Sequence, residues 1–340
     1  MTLFAMLAAA AAAAAVPQPQ ELRTFEDWTV GCDNGRICHA VALVPEDWPE
    51  DALTMRVLRG PQPEAVPQIA LELGDDSGVA ALSADGAKLD VRLAMDGDGM
   101  LAVTPSDGAV MLRALRSAAQ LEALGTDGNP LRRVSLKGAS AALLYMDDRQ
   151  GRVGTVTALV RPGDKPASAV PPAPPVPRVR AVPAGGEPLV LTDAELRALR
   201  KRLKCTLDEV GGPEEHEVTA LGGGRSLVLL ACGSGAYNVS LVPVVAERKG
   251  GKLVTALAEF DAPEEWWREE GKPILVNATW DAERARLVTF SRARGLGDCG
   301  STSDYVWDGT RFRLVEQAQM DECRGSRDYI VTWRVEVVAP

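Results

Sequence analysis

Histidine is nearly absent: His39 and His216 are the only two in 340 residues. A Ser-His-Asp hydrolase would need one of them as its base. His39 follows Cys38 in a short cysteine-bounded loop, and His216 sits in the acidic stretch Pro213-Glu214-Glu215-His216-Glu217, so both read as loop residues. There is no G-x-S-x-G elbow; Gly233-Ser234-Gly235 reads as a turn after Cys232. Positive charge is also in short supply. The formal net charge is −10, divided as about −7 over residues 1–161, +1 over 162–188 and −4 over the rest. Without a basic stripe, nucleic acid is not expected as a partner, and anionic lipid is disfavoured for the same reason. Aromatic residues make up 5% of the chain, so packing must rest on Leu, Val and Ala with a few of the seven Trp as anchors.

What is present begins with an apolar run. Residues 1–15 have the length and small-residue ending of a signal peptide, with Ala13-Ala14-Ala15 as the cleavage site, although no Lys or Arg precedes the run. The run is too short for a permanent membrane anchor, so stable membrane insertion is not expected. Six cysteines follow, Cys32, Cys38, Cys205, Cys232, Cys299 and Cys323, with no C-x-x-C pair. An even set in an exported chain reads as three disulfides, and no metal or other cofactor is expected. Separate domain cores favour pairing in sequence order. Cys32, Cys38 and His39 would offer zinc only three ligands.

Nine prolines fall within residues 162–188, which deny the backbone helix and central-strand hydrogen bonding. This reads as an extended, solvated linker between residues 21–161 and 189–340, each of ordinary domain size. Short apolar runs separated by Asp-Gly and Asn-Gly turns point to antiparallel β-structure in the first segment. Helical spacing appears there at 117–124, ending at Gly125, and at 139–148, with Ala142, Leu143 and Met146 on one face. The second segment opens on a capping box, Thr192-Asp193-Ala194-Glu195, leading into Leu196, Leu199 and Leu203 at helical spacing. Hairpins follow. One nine-residue stretch from Trp280 matches another from Trp307 at six positions, W-D-x-x-R-x-R-L-V, so two similar hairpins should lie side by side. The expected fold is therefore mainly β: two antiparallel β-rich domains, the first with two short helices and the second with one leading helix, joined by a Pro-rich linker.

The segments Phe25-Glu26-Asp27-Trp28-Thr29-Val30-Gly31-Cys32, Arg294-Gly295-Leu296-Gly297-Asp298-Cys299-Gly300, Tyr305-Val306-Trp307-Asp308-Gly309 and Cys323-Arg324-Gly325 resemble the bacterial family known as domain of unknown function 1176. The resemblance spans nearly the whole mature chain and implies an exported six-cysteine protein, with no activity to carry over. A weaker similarity, over residues 21–160, links the W-x-x-x-C start and Ser135-Leu136-Lys137-Gly138 to the invasion-associated locus B family of exported β-rich proteins. It implies fold and compartment, not chemistry.

Two places stand out as candidate binding residues. Trp266 and Trp267, flanked by Glu264-Glu265 and Glu269-Glu270, would form an aromatic platform with an acid pair for glycan cleavage, or a short amphipathic turn packed on the sheet. Arg294 and Asp298, in a glycine-rich segment that lacks the Lys-Ser/Thr of a phosphate loop, would form an exposed binding edge. Asp96-Gly97-Asp98-Gly99 lacks the spacing of a calcium loop and reads as a hairpin turn. The expectation is a non-enzymatic exported binding module, periplasmic or secreted, whose partner is another protein or a cell-surface component. The alternative is a periplasmic hydrolase acting near Trp266 and Trp267.

Overall fold

The computed structural model describes residues 16–48, 52–73, 78–205, 216–262, 268–269 and 271–338. The expected leader at 1–15 lies outside them. The protein is mainly β, with antiparallel sheets and three α-helices among the described residues. No described helix is long and apolar enough to cross a membrane.

In the first half, seven strands form one sheet running from Arg23–Phe25 through Trp28–Cys32, Cys38–Ala42, Thr54–Arg59 and Gln68–Glu72 to Leu101–Val103 and Leu93–Met95. Alternation assigns its faces: Ala40 and Ala42 join the first core, whereas Val41 faces the second half. Trp28 is fully buried, and its ring N–H donates to the Ser135 carbonyl at 2.9 Å, so the largest side chain leaves no polar atom unpaired. The helix Ala139–Arg149 covers this sheet with Ala142, Leu143 and Met146, as its spacing predicts. Asp147, on the same helix, is buried and accepts from the Leu159 and Val160 N–H groups at 2.7 and 3.0 Å, with Arg59 at 3.4 Å. Burial pushes its carboxyl above the usual range and holds Arg59 down at about 10, so this pair pins a loop at an electrostatic cost.

Residues 117–124 do not form the expected helix. The helix is earlier, Gly108–Ser117, burying Met111, Ala114 and Leu115 at helical spacing, and Gln120–Leu124 is a strand between Ala81–Ala84 and Pro130–Ser135. Leu121 and Ala123 alternate with half-exposed Gln120 and Glu122, a period of two that the leucine spacing masked.

In the second half, Thr192 accepts from the Glu195 N–H at 3.3 Å while the Glu195 carboxylate accepts from the Thr192 N–H at 2.9 Å, completing the capping box of the helix Asp193–Leu203. The strand Arg225–Ser234 is buried on both faces. Val228 and Leu230 meet Leu199 and Leu203 of the helix; Leu227 and Leu229 meet Trp307, Phe312 and Leu314 of the second sheet. The order is thus helix, sheet, sheet. The second sheet holds the W-D hairpins side by side, in strand order Thr279–Asp281, Arg286–Arg292, Gly300–Trp307, Phe312–Met320 and Ile330–Arg334. Both turns use the Asp alike: Asp281 accepts from the Arg284 N–H at 3.0 Å and Asp308 from the Arg311 N–H at 2.8 Å.

The halves meet along a seam. Val41 and Leu43 pack with Met320 and Ile330. Around them Asn34 exchanges hydrogen bonds with the Arg334 backbone at 2.8 and 2.9 Å, Asp33 pairs with the Arg334 side chain, and Arg324 pairs with Asp27. The proline-dense stretch also differs from a bare solvated spacer. Ala167, Val170 and Val179 are buried, and the strand Arg178–Arg180 pairs in parallel with Glu336–Val338. Proline removes donors only at its own positions, which leaves the intervening Val and Ala free to anchor.

Candidate binding site

The strand Arg286–Arg292 presents Thr289 and Ser291 on one face and Phe290 and Arg292 on the other. Between it and Gly300–Trp307 runs the loop 293–299, shaped by its own sequence. Gly297 and Gly300 take φ of 67° and 133°, and a Cβ on Gly300 would meet the Ser291 carbonyl, so glycine is required there. Ala293 donates its N–H to the Cys299 carbonyl at 2.9 Å, closing the loop, and the Cys299–Cys323 disulfide ties its base to the segment before Ile330–Arg334.

The structure brings Arg294 and Asp298 together as a forked ion pair inside this loop. Arg294 Nε donates to Asp298 Oδ1 at 2.7 Å, its Nη2 pairs with Oδ2, and the Gly325 N–H donates to Oδ2 at 2.7 Å. Asp298 is 2% exposed. The Arg294 guanidinium, with help from the Gly325 N–H, holds the carboxyl below its usual range. Their arrangement is a clip that fixes the loop.

What the clip supports is a cavity of about 530 Å³. Its walls include Phe290, Leu296, Tyr329, Thr302 and the two guanidinium-bearing residues Arg292 and Arg327. Tyr329 stands edge-on to Phe290 at 5.7 Å and donates its hydroxyl to the Gly297 carbonyl at 3.3 Å. Burial pushes the Tyr329 hydroxyl up to about 12, so it remains a neutral donor. The Arg292 guanidinium lies 5.1 Å from the Phe290 ring centre, while its Nε is buried with no hydrogen-bond partner among the described residues. Leu296 is 64% exposed at the mouth. The neighbouring acids are engaged elsewhere: Asp328 meets His39 Nε2 at 3.1 Å and Arg56 at 4.0 Å, and Asp298 serves the clip. An acidic chain thus keeps two cations beside an apolar wall.

The other sequence candidates are dispersed. Trp266, Trp267, Glu264, Glu265 and Glu270 lie outside the described residues. The pairs Cys32–Cys38 and Cys205–Cys232 join Cys299–Cys323 in sequence order. His39 is buried beside Asp328, and His216 is exposed on a strand. Asp96 and Asp98 take the Arg56 guanidinium at 2.9 and 2.6 Å, and among the described residues no cluster of three His, Cys, Asp or Glu side chains is placed to hold a metal. Sequence reading passed over Phe290, Arg292, Arg327 and Tyr329 because the first two lie on one strand and the others on a later loop that only the fold brings alongside. The one local signal was the F-x-R alternation opposite T-x-S in a single strand.

A family model described as "Protein of unknown function (DUF1176)" matches residues 22–336. The chain belongs to this family. This DUF1176 chain is 32% identical over 339 residues to the Escherichia coli (strain K12) protein named "Uncharacterized protein YpfG", covering 94% of the chain and 92% of that relative. Among solved structures, it is similar to invasion associated protein b from Bartonella henselae at 17% identity, covering 38% of this chain and 99% of the other. The TM-score is 0.27, too low to carry an argument.

Proposed function

We propose that this DUF1176 chain is an exported, non-enzymatic binding module of the periplasm or the secreted fraction. In this reading the Phe290, Arg292 and Arg327 cavity takes an anionic, partly apolar group of a cell-surface component or partner protein. The observation that carries it is the pair of guanidinium groups, one with a buried unpaired Nε, set against Phe290, Tyr329 and exposed Leu296. The volume falls within the range of small-ligand sites. The three disulfides support export, because such bonds persist in oxidising compartments.

Calorimetric titration of the oxidised full chain with decanoate tests it, with decanamide as the uncharged counterpart. A charge-assisted hydrogen bond contributes about 1.5–3 kcal/mol, an order of magnitude or more in affinity. Decanoate should saturate one site, decanamide should bind at least tenfold more weakly, and Arg327→Gln should remove most of that preference. Equal binding of the two ligands, or none, contradicts the reading.

A further inference from the structure

The opposite face of the same sheet carries a second cavity, of about 350 Å³, whose chemistry is different. Strand register arranges its lining in two rows: Ser291, Ser301 and Gln319 in one, Thr289, Ser303 and Gln317 in the next. All six side chains are uncharged hydrogen-bonding groups. Leu275 and Tyr305 close it on its apolar sides, and Tyr305, pushed up to about 12 by burial, stays protonated and bonds Ser303.

One group in this cavity is unsatisfied. Gln317 is 8% exposed, and its Oε1 is buried with no hydrogen-bond partner among the described residues. Its register partner on the next strand, Trp333, is 7% exposed and has a buried Nε1 in the same state. Leaving a buried polar atom unpaired is costly, and each such atom in a folded protein calls for a partner. Gln317 lines the cavity and Trp333 does not, so of the two it is the Gln317 acceptor that is offered to a ligand, the complement of an amide N–H.

We infer that this cavity binds a neutral sugar through its acetamido group, whose N–H meets Gln317 and whose methyl rests against Leu275, while the serine and threonine hydroxyls meet ring hydroxyls. A peptide is the weaker fit. The strands Gly300–Trp307 and Phe312–Met320 are paired on both sides, and the edge of Arg286–Arg292 beyond Val288 is taken by the Asn277 and Asn238 side chains, which bond the Phe290 and Arg292 backbone, so recognition falls to side chains. This inference is independent of the anionic site, which lies on the other face.

Titration of the oxidised full chain with the N-acetylglucosamine trimer, with cellotriose, which lacks the acetamido group, and with acetyl-trialanine-amide tests it. The acetylated trimer should saturate, with cellotriose and the peptide each at least tenfold weaker. Gln317→Leu should weaken the trimer at least tenfold while the thermal midpoint holds or rises, because the orphan oxygen is gone. Should that variant fail to fold, Ser301→Val, at a half-buried position, should weaken the trimer at least threefold in a folded protein. Cellotriose or peptide binding equal to the trimer, no saturation by the trimer, or trimer affinity unchanged in whichever variant folds overturns the inference.

Discussion

Glu195 does two jobs at the start of the helix Asp193–Leu203: it accepts the Thr192 N–H of the capping box and pairs with Arg248 at 2.9 Å. The hydrogen bond from Arg248, followed by that from the Thr192 backbone, holds its carboxyl down at about 2 against an ordinary value of 4.5. A depressed carboxylate contributes stability that is present above the ordinary value and lost as pH falls through the folded one. Carbon-detected NMR should therefore place the Glu195 midpoint near 2 and move it upward in Arg248→Gln. A midpoint at the ordinary value in the unaltered chain contradicts the assignment. The same scale separates arginines that sequence cannot distinguish. Arg294 is consumed by Asp298, while Arg292 and Arg327 face a cavity, a difference set by register and by loop closure.

Among the elements, the disulfides differ most in consequence. Cys205–Cys232 and Cys299–Cys323 close loops with sequence separations of 27 and 24, against 6 for Cys32–Cys38. The chain-entropy model gives about 3.5 kcal/mol for each long loop and about 2 for the short one. Paired Cys-to-Ala replacement at 205 and 232, or at 299 and 323, should lower the denaturation midpoint more than at 32 and 38; equal losses contradict this. Replacement at 299 and 323 should also weaken anion binding, since that bridge holds the cavity wall. The elements legible in the sequence were those with local signals: the capping box and the W-D hairpins. Residues 117–124 misled because Ala, Leu, Glu and Gln favour helix in isolation, while pairing to two neighbouring strands decided otherwise. The cavities were illegible for a related reason: their walls come from strands and loops that only register brings together.

Among the described residues the first half holds one core and the second half two, helix against sheet and sheet against sheet, and the halves are joined by the Val41, Leu43, Met320 and Ile330 seam and by the anchored stretch 162–188. We propose that each half is a domain and that the seam, not the connecting chain, keeps them together. One protease cut within 172–176, exposed except at Pro174 and Val176, should give two resistant fragments that co-elute in native buffer and separate in denaturant. Separation in native buffer contradicts a stable seam. The central claim is that a binding site for an anionic, partly apolar group lies where loop 293–299 meets Arg327. Methyl NMR of the leucine-labelled oxidised chain during decanoate titration tests it most directly. The account predicts saturable shifts at Leu296, with Leu199 and Leu203 unmoved; an unmoved Leu296, or larger shifts at leucines remote from this cavity, would contradict it.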